Sequence, residues 1–96
     1  MRAYEIMFIL PSSLDDEQAD AVVSKYQKLV EDKGGTVSQV DRWGKRRLAY
    51  EIDGHHDGNY VVISYQGDDS VNHEIDRVMK ISDEVIRHMI IRQDEQ

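Results

Sequence analysis

The sequence predicts an α+β domain in which a four-stranded antiparallel sheet carries two helices on one face. Three features point to it: apolar residues alternate with period two near the start, a capped segment with helical period follows, and such segments recur in a definite order along 96 residues. A chain of that length builds one hydrophobic core and not two, so residues 1–96 are expected to form a single domain.

The elements follow in order. Tyr4, Ile6, Phe8 and Leu10 alternate with Ala3, Glu5 and Met7, and Pro11 closes this first strand. Asp15 then suits a helix N-cap, with Gln18 at the capping-box position and Leu14 and Ala19 as the hydrophobic staple. Asp16 and Glu17 favour the positive end of the helix dipole. Ala19, Val22, Val23, Tyr26, Leu29 and Val30 recur at helical spacing, and Gly34 and Gly35 supply a left-handed stop. Residues Thr36 to Ile52 read as a second strand, broken near Trp43 and Gly44 by a bulge that re-aims the basic side chains. His55, His56, Asp57, Gly58 and Asn59 are assigned to the turn. Tyr60 to Gln66, rich in β-branched and aromatic residues, returns as the third strand. Asp68, Asp69 and Ser70 cap a shorter helix whose apolar set is Val71, Ile75, Val78 and Met79, and Val85 to Arg92 forms the fourth strand.

Strand, helix, strand, strand, helix, strand is the split βαβ order of a ferredoxin-like sandwich. Two helices cover one sheet face; the other stays open, so that face and the strand edges are the natural binding surfaces. A fold of this kind decides no function by itself.

Composition narrows the function. The chain is 40% hydrophobic and 32% charged, which suits a globular domain with a large solvated surface, and only the last few residues look frayed. It has no cysteine, which excludes disulfides, thiolate metal sites and cysteine nucleophiles and suits a reducing compartment. The segment Met1 to Leu10 lacks the apolar core and cleavage site of a signal peptide, and no stretch is long enough to cross a membrane, so the chain reads as cytoplasmic and complete. The net charge of −7 argues at first against a nucleic-acid partner, but it is polarised. Arg42, Lys45, Arg46 and Arg47 place four of 12 basic residues within six positions free of acid, while Asp15, Asp16, Glu17, Asp20, Glu31 and Asp32 crowd the first helix.

The segment Arg42-Trp43-Gly44-Lys45-Arg46-Arg47 joins a basic cluster to an aromatic ring at a backbone irregularity. Arginine offers paired donors to phosphate, and a tryptophan stacks on an unpaired base. From spacing alone, a charged edge strand that resists sheet-to-sheet aggregation accounts for the cluster about as well. In the fourth strand, Arg87, Met89 and Ile91 share one face and Ile86, His88 and Ile90 the other. Arg87 is therefore the binding candidate, and His88 a core or boundary histidine. Arg2 is placed to join the same surface, because the first and fourth strands are neighbours in this fold.

Catalysis and metal binding find little support. His55 and His56 are adjacent and His73 neighbours Glu74, and neither arrangement gives two ligands on one face. Ser12 and Ser13 sit where helix-capping serines belong, and the six glycines form no phosphate loop. No metal, cofactor or small-molecule substrate is expected. A self-associating ferredoxin-like regulatory module remains an alternative. A small acylphosphatase-like hydrolase is disfavoured, because Pro11-Ser12-Ser13-Leu14 before three acids is a poor anion cradle.

Three motifs carry a family resemblance over the whole chain: Arg2-x-Tyr4-Glu5-Ile6, Trp43-Gly44-Lys45-Arg46-Arg47-Leu48-Ala49-Tyr50, and Val85-Ile86-Arg87-x-Met89. Together they resemble the bacterial small-subunit ribosomal protein S6 family. The resemblance implies a non-enzymatic ferredoxin-like RNA-binding domain of the small (30S) ribosomal subunit. It further implies binding to the central domain of 16S ribosomal RNA together with ribosomal protein S18. On the matching positions it implies RNA contacts by Arg2, Trp43, Lys45, Arg46, Arg47 and Arg87, with Tyr4 and Met89 as packing neighbours for RNA or partner. Glu51 follows Tyr50 where the family often has proline, and Asp53 and Asp57 make the turn region acidic, which weakens any RNA role for the turn itself.

Overall fold

The computed structural model describes residues 1–93; the fraying expected at the end of the chain falls on residues 94–96, outside the described residues. The elements are β1 (Arg2–Leu10), α1 (Asp16–Asp32), β2 (Thr36–Ile52), β3 (His55–Gly67), α2 (Asp69–Ile81) and β4 (Arg87–Arg92). They form one four-stranded sheet in the order β2-β3-β1-β4, and every neighbouring pair is antiparallel. β1 pairs with β3 from Arg2 opposite Gly67 to Leu10 opposite Asn59, and with β4 from Tyr4 opposite Arg92 to Ile9 opposite Arg87.

Alternation along β1 and β3 separates two faces. Tyr4, Ile6, Phe8 and Leu10 join Val61, Ile63 and Tyr65 against the helices, where Ala19, Val22, Val23, Tyr26 and Val30 of α1 and Val71, Ile75 and Met79 of α2 complete the core. Phe8 and Tyr26 meet at 5.6 Å between ring centroids, and Tyr4 lies on Tyr65 at 5.8 Å. The Tyr65 hydroxyl donates to Asn72 Oδ1 at 2.6 Å, and burial pushes its phenol well above the ordinary range.

The helix ends follow the capping rules. The backbone N–H of Gln18 donates to Asp15 Oδ1 at 2.8 Å, and that of Asp15 donates to Gln18 Oε1 at 2.9 Å, closing the capping box. At the other end Gly34 takes φ +89°, and the N–H groups of Gly34 and Gly35 donate to Glu31 O and Val30 O, a Schellman stop. Gly35 is needed for a different reason: a Cβ there would stand 2.8 Å from both Gln66 O and Val30 Cγ1. The Asp68 carboxylate caps α2 by accepting from the N–H groups of Ser70 and Val71. α2 is fastened to the sheet edge by His88, whose Nε2 donates to Asp76 Oδ1 at 2.8 Å, while Lys80 pairs with the same carboxylate at 2.9 Å.

The hairpin departs from expectation. Its turn is not His55–Asn59 but Asp53-Gly54, with φ of +48° and +84° and Ile52 opposite His55. A two-residue loop with both central φ positive twists in the sense of the flanking strands, and Asp-Gly suits it best. β3 therefore starts at His55, and the polar residues assigned to the turn lie in a strand. The bulge at Trp43 is present: Arg42 faces Val61 and Gly44, at φ +81°, faces Tyr60, leaving Trp43 as the extra residue. Two further register shifts, at Val37/Gln39 and Arg47/Ile52, had no forerunner in the sequence reading. β4 begins at Arg87 and not Val85, although Ile86 N–H already donates to Ile9 O.

Two measurements test this packing. Asp15→Ala should lower the urea-unfolding free energy by about 1 kcal/mol, and Ile63→Ala by about 2–5 kcal/mol. The Asp76 carboxyl is held below the ordinary carboxylate range by the His88 hydrogen bond first and by Lys80 second. Its contribution is thus present above the unfolded value of about 3.9 and lost as pH falls through the lower folded value. Asp76→Asn should destabilise at neutral pH, by well under about 1 kcal/mol for so exposed a group. It should also flatten the loss of stability below about pH 4 in urea titrations at successive pH values.

Candidate nucleic-acid interface

Residues opposite one another in an antiparallel ladder share a face, so register assigns each functional side chain. Gly44, Tyr60, Ile9 and Arg87 form one row across all four strands. Ile9 and Tyr60 have the opposite parity to the core residues and look onto the open face. Trp43 lies flat on Tyr60, with centroids 6.0 Å apart and planes 5° from parallel, and its Nε1 donates to Asp41 Oδ2 at 3.2 Å. The Arg46 guanidinium sits 5.8 Å from the Trp43 ring, giving a stack of cation, indole and phenol in which Trp43 stays 44% exposed.

The bulge sends Arg42 the other way. It meets α1, pairing with Asp20 and, at 3.8 Å, with Asp16, so its charge is spent inside the domain. Lys45 pairs with Asp57 at 3.4 Å, and the other oxygen of that carboxylate accepts from Ser12 Oγ at 2.6 Å. The Ser12 bond first, and Lys45 after it, hold the Asp57 carboxyl below its ordinary range. Ser12 is therefore a tether between the β1–α1 loop and the hairpin, not a helix cap. Among the described residues Arg46 and Arg47 make no ion pair. Lys45, Arg46, Arg47, His56 and Asp57 line a shallow groove of about 370 Å³.

At the β4 end of the row, Arg87 donates to the Tyr50 hydroxyl at 2.6 Å, with its guanidinium 5.9 Å from the ring. This contact draws the far part of the hairpin over the open face. Beneath it lies an apolar groove of about 450 Å³, lined by Met7, Ile9, Leu48, Tyr50, Tyr60 and Met89.

The structure thus places Trp43, Arg46 and Arg87 on the open face, with Lys45 and Arg47 on the opposite side of the same end of β2. Arg2 stands apart: it pairs at the opposite end of β1, seven residues from Ile9, or roughly 23 Å along the strand. It also has the parity of Tyr4, on the helix side, so it does not join the surface as expected. Tyr4 is corrected as a contact candidate, since it is only 6% exposed and stacked on Tyr65 beneath the helices. Met89 is half exposed on the open face opposite Met7. His55 and His56 point to opposite faces, and His56 Nε2 lies 3.3 Å from Glu51 Oε1. Tyr60, Tyr50 and the Ser12–Asp57 pair were not anticipated. Tyr60 was legible in principle, two residues along from Val62 on the apolar open-face alternation; the others depend on how the hairpin curls.

The profile of the family described as Ribosomal protein S6 matches residues 3–92. The chain belongs to that family. Two relatives, both described as small ribosomal subunit protein bS6, show the same extent. That of Desulforamulus reducens is 45% identical over 95 residues, covering 99% of this chain and 100% of the relative. That of Clostridium acetobutylicum is 48% identical over 91 residues, covering 95% and 96%. The crystal structure of 30S ribosomal protein S6 from Thermotoga maritima superposes with a TM-score of 0.90 at 31% identity, covering 96% of this chain and 87% of that one. The ribosomal protein S6 family is structural and not enzymatic, which agrees with the ferredoxin-like fold and with a site that holds cations and rings but no nucleophile with its base.

Trp43 is the one tryptophan of the chain, so its fluorescence reports the stack. Tyr60→Ala should shift Trp43 emission to the red and raise its quenching by acrylamide while the far-ultraviolet circular dichroism stays unchanged, at a cost of about 0.5–1.5 kcal/mol for the lost ring pair beyond its area.

Proposed function

We propose that this protein, a structural component of the small ribosomal subunit by its family, binds the central domain of 16S ribosomal RNA together with ribosomal protein S18. The observation that carries the RNA part is the pair of cations that make no ion pair among the described residues, Arg46 and Arg47, beside an exposed Trp43 on which Arg46 is stacked. Arginines without internal carboxylates exchange only water and counterions for phosphate, whereas Arg42 would have to give up Asp16 and Asp20. Trp43 adds a stacking surface for an unpaired base. Arg87 supports the same surface from β4 and positions Tyr50. Arg2 is a separate RNA contact, at the other end of β1.

The open face suits a protein partner. The groove under the hairpin and the exposed Met89 and Ile91 offer apolar area continuous with the basic edge. A chain of net charge −7 has limited attraction for naked RNA, so a basic partner supplies the rest of the field. The role is positional: phosphates of a folded junction are neutralised and the junction is held in its bound shape.

The test is co-sedimentation of tagged protein with small ribosomal subunits in a sucrose gradient, beside Arg46→Ala with Arg47→Ala. Wild type should travel with the subunit and the double variant should be depleted from it. Binding to the RNA should also lose about two units of salt slope in the variant, roughly one per lost phosphate contact. Wild type left at the top of the gradient would instead favour the self-associating module.

A further inference from the structure

We infer that the groove between Lys45, Arg47 and His56 is a phosphate subsite whose place is held, in the free protein, by the chain's own Asp57 carboxylate. The inference rests on the RNA reading above and names the site within it. Asp57 lies directly opposite Arg47 in the β2–β3 ladder and pairs with Lys45 at 3.4 Å, so it stands between the two cations that share its face. Its remaining oxygen accepts from Ser12 Oγ at 2.6 Å. A planar anion held by a lysine and a hydroxyl beside an arginine has the donors that a backbone phosphate would need.

The other charges around the groove fit this assignment. His56 faces Glu51 at 3.3 Å and acts on Asp57 less than Ser12 and Lys45 do, and Arg46 is turned onto the Trp43 ring. Asp57 is exposed enough to move, and the hairpin that carries it is joined to the rest of the domain at this point by the Ser12 bond. Phosphate therefore competes with an internal carboxylate for Lys45. RNA that binds must displace Asp57 or tolerate its charge, and either lowers affinity relative to a neutral residue at that position. Asp57 thus tunes binding downward.

The experiment measures binding of full-length protein with ribosomal protein S18 to small-subunit ribosomal RNA, across a salt series. Asp57→Asn should tighten binding about 2- to 5-fold, the scale of one exposed ion pair, and steepen the salt slope by about one unit. Lys45→Ala should abolish that gain when combined with Asp57→Asn. Ser12→Ala, which frees the hairpin but keeps the charge, should bring no gain. Unchanged or weaker binding by Asp57→Asn, or an equal gain from Ser12→Ala, would overturn the inference and leave Asp57 as a hairpin tether. If no variant, wild type included, binds the RNA, the underlying reading fails, and inorganic phosphate then decides the subsite. Amide shifts at residues 45–47 on phosphate titration, larger in Asp57→Asn than in wild type, support it; equal or absent shifts overturn it.

Discussion

The extra residue at Trp43 sets the direction of the β2 side chains that follow it as far as Arg47. A strand alternates strictly, so one inserted residue exchanges the two faces until the next irregularity. Before the bulge, Arg42 falls on the helix side and meets α1. After it, Trp43 and Arg46 stand on the open face over Tyr60, while Lys45 and Arg47 line up with Asp57 on the other side. Gly44, at positive φ, makes the irregularity cheap. Without the bulge, the same six residues would present a different charge pattern to each face.

The electrostatics follow from that division. The acidic residues of α1 have an internal use for one arginine and leave the rest of their charge toward solvent on the helical layer. The sheet end beyond the bulge keeps the uncompensated cations. An overall negative protein can therefore present a locally positive rim, and its affinity for phosphate depends on which cations the fold has already neutralised rather than on their number.

Much of this was legible before the structure. The capping box at Asp15 and Gln18, the glycine stop of α1, the bulge at Trp43 and the two faces of β4 all rest on short-range rules that a sequence displays directly. The hairpin turn is harder to place, because the polar run His55 to Asn59 competes with the two-residue signal Asp53-Gly54 that forms it. With the turn at Asp53-Gly54, Asp57 stands in a strand opposite Arg47 and not in a loop. Tyr4 belongs to a motif that suits a contact, but its parity with Ile6 and Phe8 buries it. The Tyr50–Arg87 and Ser12–Asp57 contacts join residues far apart in sequence, and no local pattern encodes them.

The sheet order also bears on how the domain is assembled in time. β1 is an interior strand, yet its two neighbours are β3 and β4, and the pairing of Tyr4 with Arg92 closes a loop over nearly the whole described chain. Closing a loop of that span carries an entropic cost that the β2–β3 hairpin, joined by two residues, does not meet. On a growing polypeptide, β1, α1 and the hairpin can meet while the last element is still being made. Until β4 arrives, one edge of β1 stays unpaired, with Ile6 and Phe8 next to open backbone donors and acceptors. The final strand thus acts as a clasp: six residues pair the free edge of β1 and carry Arg87 to the end of the functional row.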